Sequence, residues 1–445
     1  MITNPVCYRW HSNSTGVVSR SLCLLLFYRT LLFYGIHGFS WVLPTKNAAS
    51  IRQESTLYSF RDVNVDCTNN FNSQNRRVIV VGKIIIDQYG DPSKRSKDDA
   101  MRFTVGGGGP QAAWGAAAAL ACRDYFFLQD ESSINIDSLL PPKQPVTFIA
   151  PIGLQNWTPQ HAAALESVLL PALDIPPILI ESENHITPTI NIWHDENEIQ
   201  KWHPVDGSFD AMGADGLWRN RPSATDLLSV IQSYHSRSDR NENIILHSIL
   251  ESGSKPTGGG EDSLFLNNQD LVSQTDVLGI EPIVFPDDDT HKVSDEDGKR
   301  VNGLILRAKK SLVKDGERNK LLVVTPDRAC FDSAFANDTI EHCDASMEII
   351  VRDGANGSFR KQQQIPSARL QTFNNQPINP TGAGNAYSAA YVACRGTGME
   401  AIEAAVLATA VGAVVCEYEH LPEWSWDVLQ RIAEAAKEVD AKLNH

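Results

Sequence analysis

The chain has 445 residues, 42% of them hydrophobic and 21% charged, which is the balance of an ordinary globular protein. This length suits two or three average domains or one large α/β unit. The formal net charge of -15 argues against nucleic acid as a partner, because a protein that binds the phosphate backbone presents a basic face.

The first 53 residues have the composition of a targeting segment. They contain no acidic side chain and five basic ones, and residues 21–43 are largely apolar. Arg29 interrupts the apolar run, which weakens the case for a membrane-spanning helix without excluding it. A signal peptide, a bipartite organelle presequence, a signal anchor and a disordered start all remain open. We therefore treat residues 1–53 as a targeting or disordered segment, and we expect membrane contact only through it, if it is retained.

The eight cysteines are scattered along the chain and include no C-x-x-C pair. Their spacing therefore indicates neither a zinc site nor a disulfide framework. Cysteines of this kind are typical core residues in a reducing compartment. We expect the protein in the cytoplasm or in an organelle reached through the N-terminal segment.

A run of β-branched residues opens the globular part at Arg76. Residues 78–82 (VIVVG) predict a buried parallel strand, and residues 83–87 are expected to continue it. Asp87 would then lie where the strand leaves the sheet, and ligands bind at the carboxyl ends of strands in open α/β sheets. The alternative is a strand-end Asp that caps a turn.

A glycine-rich turn, Gly106 to Gly109, leads through Pro110 and Gln111 into an alanine-rich helix at residues 112–121. The third glycine of G-x-G-x-x-G is missing, so the turn is not a dinucleotide-binding fingerprint. It is not a Walker A loop either, because no Gly-Lys-Ser/Thr follows it.

The rest of the body alternates short apolar strands with helices. Two runs of alternating polar and apolar residues flank a polar turn at residues 195–197, which predicts a hairpin over residues 188–203. Residues 252–262 and 287–302 are polar and rich in glycine or charge, so they are expected to be surface loops. The pattern as a whole predicts an α/β fold with a mainly parallel sheet covered by helices on both faces.

The stretch from Asn379 to Asn385, NPTGAGN, has the features of a turn that runs into a helix. Pro380 fixes φ, while Gly382 and Gly384 allow the backbone to approach a ligand closely. The small and apolar residues that follow favour a helix, so the glycines are expected at a helix N-terminus, where N–H groups and the helix dipole bind anions. A glycine-rich turn before a buried helix is the alternative interpretation.

This stretch resembles the signature D-[TP]-x-G-A-G-D of the PfkB, or ribokinase-like, carbohydrate kinases, with Asn379 and Asn385 in place of the two aspartates. The resemblance implies a ribokinase-like fold with a small β lid. It also implies that Gly382, Ala383 and Gly384 form an anion hole for the transferred phosphoryl group, with Asn385 at the position of the catalytic base. Asn cannot accept a proton at neutral pH, so it can only orient the acceptor hydroxyl. Because Asn and Asp are nearly isosteric, Asn385→Asp is predicted to restore a carboxylate without a packing penalty.

The resemblance extends over residues 76–425, and the hairpin would be the lid over the acceptor, a small-molecule sugar or nucleoside. The residues that would bind the acceptor are Asp87, Gly106, Gly107 and Gln111. The predicted domain covers residues 76–430, with a helix end or tail at residues 431–445.

The nucleotide side is implied by a strand and turn at residues 349–357, and by an apolar helix at residues 401–416 that would back an adenine pocket. The residues that would bind ATP are Asp353, Gly354, Gly357 and Thr381. The segment Pro326 to Cys330 resembles the family's N-x-x-E element, which organises Mg²⁺ and phosphate. Asp327 would be the metal-binding residue there, while Cys330 replaces the Glu and suits Mg²⁺ poorly.

Three functions are compatible with these features. The first is a carbohydrate kinase that uses ATP and Mg²⁺, with weakened activity because a positioned base contributes about 10²–10⁴-fold. The second is a pseudokinase that binds nucleotide, sugar or a protein partner without turnover, which the replacements at Gln111, Cys330 and Asn385 favour. The third, a nicotinamide enzyme, is disfavoured by the absence of G-x-G-x-x-G. The sequence determines neither the acceptor nor the oligomeric state.

Overall fold

The computed structural model describes residues 76–89, 102–127, 140–194, 200–204, 223–237, 243–252, 268–284, 294–312, 320–335, 346–372, 375 and 377–444. The predicted N-terminal segment 1–53 and residues 253–262 of a predicted loop lie outside these ranges.

Thirteen strands and nine helices lie within the described ranges. The strands are β1 (Arg76–Val81), β2 (Ile85–Tyr89), β3 (Arg102–Gly106), β4 (Val146–Gly153), β5 (Ile178–Ser182), β6 (Thr189–His194), β7 (Gln200–Pro204), β8 (Asn243–Ser252), β9 (Val277–Val284), β10 (Leu321–Val324), β11 (Met347–Arg352), β12 (Ser358–Arg360) and β13 (Gln363–Ile365). The helices are α1 (Gly108–Cys122), α2 (Pro159–Leu169), α3 (Ala224–Arg237), α4 (Gln269–Ser273), α5 (Asp295–Leu312), α6 (Arg328–Ala334), α7 (Ala383–Gly396), α8 (Ala401–Val415) and α9 (Trp426–Leu443).

The main sheet has nine strands in the order β13-β12-β11-β10-β9-β8-β1-β4-β5. Neighbouring strands from β11 to β5 run parallel, while β12 and β13 are added antiparallel at one edge. The central strand β1 pairs Val80 with Phe148 of β4 on one side and with His247 of β8 on the other. The predicted mainly parallel sheet is confirmed.

Side chains of β1 alternate between two cores on opposite faces of this sheet. Val78 and Val80 pack in the core that contains α1, α2, α7, α8 and α9, whereas Ile79 and Val81 pack with α3 to α6. A strand buried on both faces is apolar throughout, which is why its sequence is a continuous β-branched run. The predicted α/β class, with helices on both faces, is confirmed.

Strands β2, β3, β6 and β7 form a separate four-stranded sheet in the order β3-β2-β6-β7. Strands β6 and β7 are antiparallel and pair Asn191 with His203, as the predicted hairpin requires. This small sheet is the predicted β lid, built from the hairpin together with β2 and β3.

The expectation that residues 83–87 continue the first strand is wrong. Strand β1 ends at Val81, and β2 pairs with β3 and β6 in the small sheet. The chain turns out of the main sheet at Gly82, where it packs so closely on the start of α1 that a Cβ would lie 2.4 Å from Cα of Gly109. Asp87 therefore lies within a lid strand and not at the end of a main-sheet strand.

Helix α5 begins at Asp295, inside the segment 287–302 that the sequence predicted as a loop. The N–H of Asp297 donates to Oγ of Ser294, and the Ser294 hydroxyl donates to the Asp297 carboxylate. Acidic side chains in a first helical turn are stabilised by the helix dipole. Residues 295–302 of the predicted loop are therefore the capped start of a helix.

Helix α9 crosses the predicted domain boundary at residue 430. Within it, Arg431 donates to both carboxylate oxygens of Glu417 and to the backbone oxygen of Arg369. Its apolar face, which includes Ile432 and Val439, is buried in the core. Residues 431–443 are therefore the end of a helix that packs on the domain, which is the first of the two predicted alternatives, a helix end or a tail.

Within the described ranges, no helix is both long and apolar enough to cross a bilayer. Cys122, Cys330, Cys394 and Cys416 are buried free thiols. Burial raises the pKa of each of these thiols, so all four are neutral core groups at physiological pH, as predicted for core cysteines.

Candidate functional site

The loop from Asn379 to Gly382 enters α7 at the position that the sequence predicted. Gly382 is the residue before the helix and has a φ of 80°. The N–H of Thr381 donates to Oδ1 of Asn379 at 3.0 Å, and Nδ2 of Asn379 donates to the backbone oxygen of Glu419 at 2.8 Å, so the loop is held on both sides. The N–H groups of a first helical turn have no acceptor inside the helix. Here the N–H of Ala383 donates to the backbone oxygen of Pro380 at 3.3 Å, so the N–H groups of Gly384 and Asn385 are the ones that an anion would meet first.

Gln111, in the first turn of α1, lies across this loop. Its Nε2 donates to the backbone oxygen of Thr381 at 3.3 Å. A Cβ on Gly382 would lie 1.7 Å from Oε1 of Gln111. Any other residue at 382 would force the Gln111 amide to move, and only glycine adopts the positive φ without strain. The structure thus brings Gln111, predicted for the acceptor, against the loop predicted for the phosphoryl group.

The glycine turn before α1 lies between the side chains of Asp87 and Asn385. A Cβ on Gly106 would lie 2.7 Å from Oδ2 of Asp87, and a Cβ on Gly108 would lie 3.0 Å from Nδ2 of Asn385. Gly107, between them, is the residue that precedes α1. Both polar side chains therefore lie against one short stretch of backbone. The residues predicted for the acceptor and the predicted base position are gathered around the start of α1.

The Asp87 carboxyl group lies on β2, partly shielded from water. Burial raises its pKa from the ordinary 3.8 to about 7. Near neutral pH the group is therefore present both as an acid, which can donate a hydrogen bond, and as a carboxylate, which can only accept. Either form can bind a hydroxyl of a polar ligand.

A buried ionic cluster lies behind Asn385. Nδ2 of Asn385 donates to Oε1 of Glu281 at 3.1 Å, and Nη1 of Arg352 lies 2.8 Å from the same oxygen. Nε2 of His247 is 3.7 Å from the other carboxylate oxygen, and both His247 and Glu281 are completely buried. Burial alone would raise the pKa of Glu281, but Arg352, His247 and Asn385 together hold it below its usual value. The Asn385 amide is thus anchored to a buried anion.

This contact changes the expectation for Asn385→Asp. The exchange is isosteric, as predicted, but it would place a second carboxylate beside Glu281. Like charges at such a distance strongly oppose the ionisation of one another. The exchange therefore has an electrostatic cost that the sequence did not reveal.

On the other side of α7 lies a cavity of about 670 Å³ that is partly open to solvent. Its wall includes the turn after β11, with Gly354 and Gly357, and also Arg352. Tyr387 and Thr409 add buried side chains that carry hydroxyl groups. Two of the residues predicted to bind ATP thus line this cavity, backed by α8, while Asp353 and Thr381 are not part of its wall.

Asp327 forms the N-cap of α6, where Oδ1 accepts the N–H of Cys330 at 2.7 Å. Burial raises the pKa of its carboxyl group, although Arg352 opposes this shift. In the part of the chain that the structure describes, no group of three His, Cys, Asp or Glu side chains could hold a metal ion. The structure gives Asp327 a helix-capping contact, and its role towards Mg²⁺ stays a prediction.

Glu281, His247 and Arg352 were not among the predicted site residues. They stand on β9, β8 and β11, each next to apolar residues of its strand. A charged residue inside an apolar parallel strand was the available signal, because such a residue is buried and requires a partner. The sequence could not show that His247 and Arg352 both face Glu281.

Residues 332–423 match the family described as pfkB family carbohydrate kinase. The match includes the 379–385 loop and α8, and it confirms the resemblance that the motif indicated. No curated protein matches the sequence.

Several solved structures are similar to this chain at low sequence identity. The nucleoside kinase of Methanocaldococcus jannaschii, an archaeal member of the ribokinase family, is 17% identical, with 81% of this chain and 98% of that chain covered and a TM-score of 0.46. Phosphofructokinase-2 from Escherichia coli is 13% identical, with 82% and 99% covered and a TM-score of 0.49. Ribokinase from Arabidopsis thaliana, complexed with ribose and ATP, is 13% identical, with 81% and 99% covered and a TM-score of 0.43.

Proposed function

We propose, because residues 332–423 match the pfkB family of carbohydrate kinases, that the protein transfers the γ-phosphoryl group of ATP to a hydroxyl group of a sugar or nucleoside. The N-terminal turn of α7 would receive the transferring group. The acceptor would lie on the side of Asp87 and Gln111, and the nucleotide would lie in the cavity beside Arg352.

The observation that supports this arrangement best is the position of the loop that ends at Gly382. On one side it contacts Gln111, which belongs to the start of α1. On the other side α7 contributes Tyr387 to the cavity wall. The loop and the helix that it begins thus connect residues predicted for the acceptor with the cavity predicted for the nucleotide, which supports transfer between two ligands.

The chemistry asked of the chain is mainly positioning. Phosphoryl transfer has a loose transition state, and the protein accelerates it by alignment and by stabilising negative charge. The N–H of Gly384 would supply that stabilisation at the helix N-terminus, joined by the N–H of Ala383 if the ligand displaces its bond to the backbone oxygen of Pro380. Asn385 would orient the acceptor hydroxyl, and Asp87 would hold a neighbouring hydroxyl of the same ligand.

ATP and Mg²⁺ fit this site to different degrees. The wall of the cavity beside α8 contains three glycines, Gly354, Gly357 and Gly412, which leave backbone accessible to a ligand. Mg²⁺ is bound mostly through phosphate oxygens and water in sites of this kind, so a dedicated protein cage is not required. When bound with ATP, Mg²⁺ would neutralise phosphate charge. Asp327 is the described residue that would approach it.

A second candidate function is binding without turnover. Asn385 has its amide nitrogen committed to Glu281, and Gln111 lies over the anion loop. Both contacts reduce what the site offers to an acceptor. These two contacts favour a protein that still binds a nucleotide but no longer transfers its phosphoryl group rapidly.

Calorimetric titration of the full chain with ATP, with and without MgCl₂, separates these candidates when it is combined with a turnover assay. The assay offers ribose, fructose and adenosine, and mass spectrometry detects a phosphorylated product. We expect ATP to bind in the presence of magnesium and one acceptor class to be phosphorylated. ATP binding with no product favours the second candidate. No ATP binding in either condition refutes both.

The location of the protein forms part of the proposal. A reducing compartment, either the cytoplasm or an organelle reached through residues 1–53, agrees with four buried free thiols in the described ranges. ATP is available in such compartments, and the proposed reaction requires it.

A further inference from the structure

A carboxylate lies at the candidate active site, but it is placed behind the expected base position. Glu281 is completely buried on β9, and its Oε1 accepts from both Arg352 (2.8 Å) and Asn385 (3.1 Å). Burying an ionised carboxylate is costly unless it is paired and hydrogen-bonded. Arg352 supplies the opposite charge that burial of this carboxylate requires. The additional bond to Asn385, a partly exposed residue, links the buried charge to the cleft.

The bond fixes which end of the Asn385 amide faces inward. An ionised carboxylate has no proton to donate, so it can only accept, and the amide must present Nδ2 to it. Oδ1, at the other end of the amide, is then the acceptor left for a ligand. The amide also lies against Gly108, where a Cβ would be 3.0 Å from Nδ2 and 3.1 Å from Cγ. That contact restricts the space in which the amide could turn over.

The same bond explains why Asn and not Asp stands at position 385. An aspartate there would bring two carboxylates into contact, and such pairs share a proton and do not both ionise. Groups that face Glu281 from the other elements are His247 on β8, Arg352 on β11 and Asp327 before α6. Arg352 is already bound to Glu281, so a second carboxylate would have no cation of its own within this cluster.

We infer that Glu281 is a positioning residue that holds Asn385 with Oδ1 towards the acceptor hydroxyl, so that the identities of residues 281 and 385 depend on each other. This inference deepens the proposed kinase function and rests on it for the identity of the ligand. A carboxylate at position 385 becomes compatible with the fold only when the side chain at position 281 is neutral. The substitution Asn385→Asp is therefore tolerated only together with Glu281→Gln.

The test compares wild type with Glu281→Gln, Asn385→Asp and the double variant. Glu348→Gln is the matched control, because Glu348 is another buried carboxylate paired with an arginine, Arg395. The first measurement is an NMR experiment on protein labelled with ¹⁵N-asparagine, without any ligand. It records the proton chemical shift of the Asn385 side-chain amide. The signal is assigned by its loss in Asn385→Asp. We expect Glu281→Gln to shift it upfield and Glu348→Gln to leave it unchanged.

If Glu281→Gln does not fold, Glu281→Asp replaces it. That variant keeps the charge beside Arg352 but withdraws the carboxylate by one methylene group, which breaks the bond to Asn385. The same upfield shift is expected. An amide signal that stays in place in the Glu281 variant that folds overturns the inference, whatever the turnover assay gives.

The second measurement is turnover with ATP and the acceptor panel over a range of pH. Glu281→Gln should raise the acceptor KM by up to about ten-fold, because a neutral amide oxygen accepts from Asn385 more weakly than a carboxylate does, and it should leave the ATP KM unchanged. Asn385→Asp alone should be no faster than wild type. The double variant should exceed both single variants and show a rate that falls on the acid side as a carboxylate is protonated. A double variant that is slower than Asn385→Asp also overturns the inference.

The two proposals fail in different ways. If the amide signal responds to Glu281 but none of the proteins binds ATP, the positioning contact stands and the kinase function is refuted. If wild type phosphorylates an acceptor but the amide signal does not respond to Glu281, the kinase function stands and the positioning role is refuted.

Discussion

Replacing Asp87 by Asn should stabilise the protein at neutral and alkaline pH but not in acid. Burial raises the pKa of this carboxyl group to about 7 in the folded state, from an ordinary 3.8. Between these two values the folded protein holds a proton that the unfolded chain has lost. Stability therefore falls as the pH rises through this interval and is constant above it. The amide introduced by Asp87→Asn does not titrate, so the variant escapes this fall.

The size of the effect follows from the shift. About three pKa units at about 1.4 kcal/mol each set an upper limit near 4 kcal/mol. Asp87 keeps some exposure, so solvent screening reduces this figure. We expect Asp87→Asn to raise the free energy of unfolding by about 1–3 kcal/mol at pH 8 and by about zero at pH 4.

Urea unfolding at pH 4, 6 and 8 provides the test. The control is Asp270→Asn, which removes the same charge from an exposed position in α4. The control should show no gain that grows with pH. A pH-independent effect of Asp87→Asn, or a loss of stability at pH 8, would show that the carboxyl is ionised in the folded protein and that burial does not dominate its environment.

Two further changes test the architecture. Gly382→Ala should cost about 1–3 kcal/mol of stability and abolish ATP binding, because φ is positive and Gln111 occupies the Cβ position. The control is Gly303→Ala within α5, where a Cβ would make only an ordinary contact of 3.6 Å with Arg307. It should gain about 0.5–1 kcal/mol. Equal effects of the two variants in urea unfolding would contradict this account of Gly382. Deletion of residues 1–53 should leave the thermal midpoint of the body nearly unchanged, and a large drop in scanning calorimetry would show that this segment packs on the domain.

Local patterns in the sequence were sufficient for much of the fold. The β-branched run at residues 78–81 predicts a strand because both of its faces are buried, and the glycines of the 379–385 loop predict a helix start because few other residues suit it. These features depend on neighbours in the chain. They could therefore be recognised without knowing the partners across space.

The remaining features depend on contacts between distant residues. The turn at Gly82 is imposed by contact with Gly109, and nothing in the run that continues beyond it indicates a change of sheet. The bond between Glu281 and Asn385 joins residues 104 positions apart. A sequence pattern shows that a charge is buried but not which partner compensates for it. The acidic start of α5 was mistaken for a loop because the same residues favour both solvent and a helix N-terminus.

The contact between Gln111 and Gly382 also limits the order in which this sequence can change over evolutionary time. A larger residue at 382 would displace the Gln111 amide, because its Cβ would lie 1.7 Å from Oε1, and it would also strain the backbone at a φ of 80°. A shorter residue at 111 requires neither change, and it opens space directly above the anion loop. Descendants of this chain that acquire a new acceptor would therefore change at Gln111 first, while the positive φ keeps Gly382 fixed.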